Sequence, residues 1–115
     1  MPYLKVQTNR PPTPAQAGEF VRRASREVAE ALGKSEDYVM VALEPAPLAM
    51  LFAGSDEPAA YLELKSIGLP EDRTAGLSER LCNLVEEALG VPAGRTYIEF
   101  ADAARRLWGW NRRTF

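Results

Sequence analysis

Two stretches of helical periodicity, each closed by a glycine and each set between strand-like segments, constrain this chain more than any other feature. In the first, Phe20, Ala24, Val28, Ala31 and Leu32 recur at spacings of three and four and stop at Gly33. That spacing predicts one buried stripe on an amphipathic helix, with glycine as its C-terminal stop. Thr13-Pro14-Ala15-Gln16 opens it: Thr13 as the N-cap, Pro14 at the first helical position and Gln16 completing a capping box. Arg22, Arg23, Arg26, Glu27 and Glu30 fall on its flanks and read as a solvated face. The second helix is expected from about Asp72 to Leu89, burying Leu77, Leu81, Leu84, Val85 and Ala88 and ending at Gly90.

The segments between them alternate. Tyr3 to Thr8 sets Leu4, Val6 and Thr8 against Tyr3, Lys5 and Gln7, which predicts a strand with unlike faces. Tyr38 to Glu44 and Ala60 to Ile67 read as two more strands, and Thr96 to Ala101 as the fourth. Pro45-Ala46-Pro47, the turn cluster Gly54-Ser55-Asp56-Glu57-Pro58 and Gly68-Leu69-Pro70 punctuate the chain, with the short apolar run Leu48 to Phe52 between the first two. The order is β-α-β followed by β-α-β, and the halves resemble each other: Ala31-Leu32-Gly33 leads five residues later to Tyr38-Val39, and Ala88-Leu89-Gly90 leads seven residues later to Tyr97-Ile98. The expected fold is a single α/β domain over residues 1–115, a four-stranded mixed sheet with two helices on one face. The opposite face, with Tyr38, Met40 and Tyr61 assigned to it, is expected to be too apolar for water and therefore to pack against other subunits.

Composition narrows the chemistry. With 14 Lys+Arg against 16 Asp+Glu, the formal charge is −2, which argues against nucleic acid or an anionic membrane as the partner. There is no histidine and only one cysteine, Cys82. Triad chemistry, His-ligated zinc and a CxxC redox pair are therefore excluded, and Cys82 reads as a small buried hydrophobe. No phosphate-cradling glycine loop or ligand cluster stands out, so no metal and no cofactor is expected. No apolar run is long enough for a leader or a membrane span, and a cytoplasmic location is the expectation, with leaderless export open.

Four features could carry chemistry. Pro2 becomes a terminal secondary amine if Met1 is removed, and burial would lower its pKa towards the range where a general base works best. Lys34 follows the helix-closing glycine; it is either a cation serving the helix dipole or a fixed ammonium for a substrate carboxylate. Lys65-Ser66-Ile67-Gly68 ends a strand, as a plain turn or as a backbone N–H presented to a ligand. Tyr38, Tyr97, Trp108, Trp110 and Phe115 are core rings or the lining of a pocket, the tail rings among Arg105, Arg106, Arg112 and Arg113 reading as interface.

Together these residues resemble the macrophage migration inhibitory factor family of the tautomerase superfamily, over essentially the whole chain. The matching stretches are Met1-Pro2 before a strand, Thr8-Asn9-x-Pro11, Gly33-Lys34-x-x-x-Tyr38-Val39, Ser66-Ile67-Gly68, Leu81-Cys82, Arg95-x-Tyr97-Ile98 and Gly109-Trp110-Asn111-x-x-Thr114-Phe115. The resemblance implies a homotrimer whose sheets form a central barrel, with active sites at subunit boundaries. It implies a keto–enol tautomerase acting on phenylpyruvate-like α-keto acids without a cofactor. Pro2 would be the base, Lys34 would hold the carboxylate and the Ile67 N–H would contact substrate. Tyr97 would come from the neighbouring subunit, while Tyr38, Trp110 and Phe115 shape an aromatic-accepting mouth. A cytokine-like binding role, with an unknown receptor and a weak or vestigial pocket, is the alternative the resemblance also allows.

Two departures stand out. Glu99 occupies a position where relatives often carry asparagine, and a carboxylate there would raise the Pro2 pKa and repel an anionic substrate. The CxxC of some relatives falls on Glu57 to Leu62, which contains no cysteine, so thiol–disulfide chemistry of that type is not expected.

Overall fold

A computed structural model describes all residues, Met1 to Phe115. Strand β1 (Tyr3–Thr8) leads to helix α1 (Pro14–Leu32), β2 (Met40–Leu43), β3 (Ala60–Ile67), helix α2 (Thr74–Leu89) and β4 (Thr96–Ala103). A small hairpin of β5 (Gly109–Trp110) and β6 (Arg113–Thr114) ends the chain. The four long strands form one sheet in the order β2-β1-β3-β4. β1 runs parallel to β2 and β3 parallel to β4, while β1 and β3 meet antiparallel. Each half is thus one β-α-β unit, and the two join through their first strands.

The helix signals act as the sequence suggests. Thr13 Oγ1 accepts from the Gln16 N–H at 3.2 Å and Gln16 Oε1 accepts from the Thr13 N–H at 3.0 Å, a complete capping box. Gly33 closes α1 at φ 63° and Gly90 closes α2 at φ 71°, the left-handed region where a side chain is strained. Phe20, Ala24, Val28 and Leu32 pack with Leu77, Leu81, Leu84 and Val85 onto Leu4, Val6, Leu62 and Leu64 of the sheet. Ala31 and Ala88 lie at the edge of this core, only half-buried, and Cys82 is half-buried instead of buried. The helix flanks are more than a solvated face. Arg23 reaches both Glu27 and Glu87, and Arg80 binds Glu27 at 3.5 Å and Glu30 at 3.2 Å, so an ionic seam links α1 to α2.

Three boundaries differ from the sequence expectation, each for a local reason. Residues Glu36–Tyr38 coil into a 3-10 turn because Ser35 Oγ accepts the Asp37 N–H at 3.2 Å; β2 therefore begins at Met40, and Tyr38 leaves the sheet. A 3-10 turn over Glu71–Arg73 delays α2 to Thr74, and β4 continues to Ala103 because each residue from Ala60 to Ile67 finds a partner on it.

The face away from the helices carries Met40 and Tyr61 as expected and loses Tyr38, but it is far more charged than an apolar surface. It carries Lys5, Glu63, Lys65 and Glu99, with Lys5 bound to Glu63 at 3.6 Å and to Glu44 at 3.8 Å. Tyr61 Oη donates to Glu63 at 3.1 Å. Partial burial, then that hydrogen bond and the charges of Glu63 and Glu99, hold the Tyr61 phenol above its ordinary value. Alternation and register put the odd-numbered residues of β1, β3 and β4 here together with Met40 and Ala42 of β2, so charged and polar side chains share the face with Tyr3, Tyr61, Tyr97 and Met40.

Candidate functional site at the chain terminus

Pro2 is fully buried and leads straight into β1. Its carbonyl accepts the Met40 N–H at 3.0 Å, which ties the terminus to β2. The pairing sense of β1 then decides what faces the amine. Met40 and Glu44 donate to the carbonyls of Pro2 and Val6, so even-numbered peptide groups of β1 face β2 and odd-numbered ones face β3. By the same alternation the odd-numbered peptide groups of β3 face β1. Ile67 lies two residues beyond Lys65, the partner of Tyr3, so its peptide group faces the gap where β1 runs out and the terminus begins.

Lys34 fills that gap. Its backbone N–H caps α1 through the Ala29 carbonyl at 2.9 Å. Its side chain leaves the helix end and donates from Nζ to the Ile67 carbonyl at 2.9 Å. The ammonium is thus fixed by a cross-sheet contact, and capping is left to the backbone. The terminal amine, carried here by Met1, titrates below its ordinary value of 8.0 because burial penalises its charge and the cations Lys34 and Arg105 repel it.

Aromatic side chains close one wall. The hairpin turn at Asn111 (φ 50°) and Arg112 (φ 64°) folds the tail back so that Trp110 and Phe115 stack with centroids 5.5 Å apart. Tyr38 meets both edge-on, at 5.8 and 6.2 Å. Placing Tyr38 on the 3-10 turn and not in β2 is what lets it reach them. The resulting pocket of about 330 Å³ is lined by Met1, Pro2, Tyr3, Asp37, Tyr38, Val39, Met40, Trp108 and Trp110.

Pro2, Lys34, Ile67, Tyr38, Trp110 and Phe115 are thus gathered at one corner of a single chain. Tyr97 and Glu99 are not. Tyr97 pairs with Tyr61 and Glu99 with Glu63, whereas the terminus lies beyond Lys65. Tyr97 is therefore on the order of 15 Å further along the sheet at about 3.3 Å per residue. There it packs on Phe52, centroids 4.8 Å apart, and borders a separate apolar groove with Met50 and Leu51. That end is braced from both sides. Arg95 donates to the carbonyls of Pro58 (2.8 Å), Phe52 (3.2 Å), Ser55 (3.2 Å) and Glu57 (3.0 Å). Asn9 binds Asp56 and Glu57 carbonyls and the Ala59 N–H. Sequence reasoning missed Asp37 as a pocket residue and Arg105 as a charge at the amine; the only available signals were a carboxylate beside Tyr38 and a cation after the last strand.

The family model described as Macrophage migration inhibitory factor (MIF) matches residues 1–115, the whole chain. The chain belongs to the macrophage migration inhibitory factor family. It is 38% identical to a macrophage migration inhibitory factor homolog of Brugia malayi, covering 100% of this chain and 99% of that protein. Among solved structures it is similar to the homologue from Prochlorococcus marinus, with 43% identity, a TM-score of 0.91 and 98% of each chain covered. The Toxoplasma gondii factor superposes with a TM-score of 0.90 at 32% identity, over 98% of this chain and 99% of that one. The MIF-family fold, that of the tautomerase superfamily, thus extends from the buried Pro2 to the aromatic tail.

Proposed function

We propose that this MIF-family chain is a cofactor-free keto–enol tautomerase of phenylpyruvate-like α-keto acids. The observation that carries the reading is the corner itself: a buried Pro2 beside an ammonium fixed on the Ile67 carbonyl, opening on an aromatic-walled pocket. Once Met1 is removed, the Pro2 amine is the base. It takes the enol hydroxyl proton, and the resulting ammonium returns that proton to the adjacent carbon, so the sum is an isomerisation. Lys34 binds the substrate carboxylate and stabilises the developing enolate oxygen. The same charge disfavours protonation of the amine and so keeps the base neutral near physiological pH.

In this reading the working unit is a homotrimer in the cytoplasm, with sites where subunits meet. If Tyr97 and Glu99 belong to the site, as the family resemblance implies, their separation from Pro2 within one chain requires a second copy. Exposed apolar side chains at Met40 and Tyr97, each 65% accessible, give such contacts something to bury.

The test is ketonisation of enol-phenylpyruvate by protein whose mass confirms loss of Met1, beside Pro2→Ala. The expected result is turnover that falls about 100-fold or more in the variant, the range for losing a general base. A correctly processed protein without turnover contradicts the reading and favours a binding role.

A further inference from the structure

Residues 103–115 carry four arginines and no Asp or Glu, in a chain with a formal charge of −2. None of the four is ion-paired: the cations in the molecule's salt bridges are Lys5, Arg23, Lys65 and Arg80. The fold sets two of the four beside residues of the corner. Arg113 pairs with Trp110 across the hairpin, and its guanidinium lies 5.2 Å over the indole that lines the pocket. Arg105 opens a 3-10 turn two residues beyond Ala103, the register partner of Ile67. It therefore flanks the corner where Lys34 grips the Ile67 carbonyl, and its charge is felt at the terminal amine.

Around the corner, Lys34, Arg105 and Arg113 stand against Asp37, the one lining carboxylate of this chain, and against Glu99 where a neighbouring copy supplies it. A substrate whose single carboxylate sits at Lys34 leaves the Arg113 guanidinium without an anionic partner. A guanidinium held over an indole is oriented in advance, and its planar edge of N–H donors matches a carboxylate or phosphate in a two-point contact. Resting on the tautomerase reading above, we propose that the pocket selects a dianion. The substrate is an aryl α-keto acid whose ring bears a second anionic group, a carboxylate or a phosphate, bound at the rim by Arg113. The α-carboxylate occupies the Lys34 end, the ring lies along Tyr38 and Trp110, and the distal anion meets Arg113 where the pocket opens to solvent.

The experiment compares kcat/KM for phenylpyruvate and para-carboxyphenylpyruvate in the wild type, Arg113→Gln, Arg113→Lys and, as a control for net charge, Arg26→Gln on exposed α1. The wild type is expected to favour the dianion about tenfold, the scale of one charge-assisted hydrogen bond. Arg113→Gln brings the ratio close to one, Arg113→Lys leaves it intermediate, and Arg26→Gln keeps the wild-type ratio. Equal kcat/KM in the wild type overturns the proposal, and so does a preference that survives Arg113→Gln. Calorimetric binding of the same two compounds separates this inference from the reading it rests on. Tighter binding of the dianion, lost in Arg113→Gln, upholds the selective rim even in a protein that turns neither compound over. Equal binding of both overturns it whatever the turnover.

Discussion

Lys34 connects the most functions through one atom. Its Nζ is held by the Ile67 carbonyl and stands close enough to the terminal amine to lower its pKa. Removing it has two separable consequences. Lys34→Ala is expected to raise KM for phenylpyruvate by roughly 10- to 100-fold, the value of one ionic hydrogen bond. It is also expected to move the acidic limb of the pH–rate profile upwards. The sign follows from the base: activity grows as pH rises through the amine pKa, burial and the cations Lys34 and Arg105 lower the Met1 amine that stands at this corner, and a Pro2 amine freed beside the same cations climbs back when one of them is deleted. An unchanged KM removes Lys34 from carboxylate binding; an unmoved limb removes it from tuning the base. In the sequence, Lys34 was equally readable as a helix cap, since only the cross-sheet reach to Ile67, 33 positions away, distinguishes the two roles. Arg105 gave still less warning, because nothing in Ala104-Arg105-Arg106 shows that β4 ends beside the terminus.

At the scale of elements, α1 acts as the arm that delivers Lys34, and Gly33 sets its direction. Gly33 sits at φ 63°, and a methyl group added there meets nothing within 4 Å, so Gly33→Ala acts through the backbone alone. It is expected to destabilise the fold by about 1–2 kcal/mol, the penalty for a side chain in the left-handed region. Thermal or denaturant unfolding checks this, and equal stability would mean that the α1 terminus relaxes into another conformation. The helices and the sheet order were legible in advance because capping residues, glycine stops and periodicity agree with one another. The start of β2 was not, because the apolar alternation of Val39, Val41 and Leu43 runs smoothly back to Tyr38 while Ser35 imposes a turn. The tail hairpin also escaped, since its turn uses Asn111-Arg112, without the glycine that marks such turns.

For the whole molecule, the sheet's polar outer face and the distance between Tyr97 and Pro2 lead to the same expectation. The outer face is an ion-paired ladder of Lys5, Glu44, Glu63 and Lys65. Such a face is compatible with the solvated interior of an assembly, whereas exposed apolar side chains lie at its margins, at Met40 and around Tyr97. If neighbouring copies share each site, Pro2→Ala and Tyr97→Ala are each impaired alone. Mixed after mild dissociation and reassociation, they regain part of the wild-type activity, because some boundaries join an intact Pro2 to an intact Tyr97. No recovery from reassociated mixed oligomers contradicts shared sites.

The central claim is that this corner keeps the Pro2 amine neutral at physiological pH. NMR titration of isotopically labelled proline at the mature terminus measures it directly. The account predicts a midpoint below physiological pH, and so below the ordinary terminal-amine value of 8.0, and an upward move in Lys34→Ala. A midpoint at or above the ordinary value, unmoved by that substitution, would contradict it.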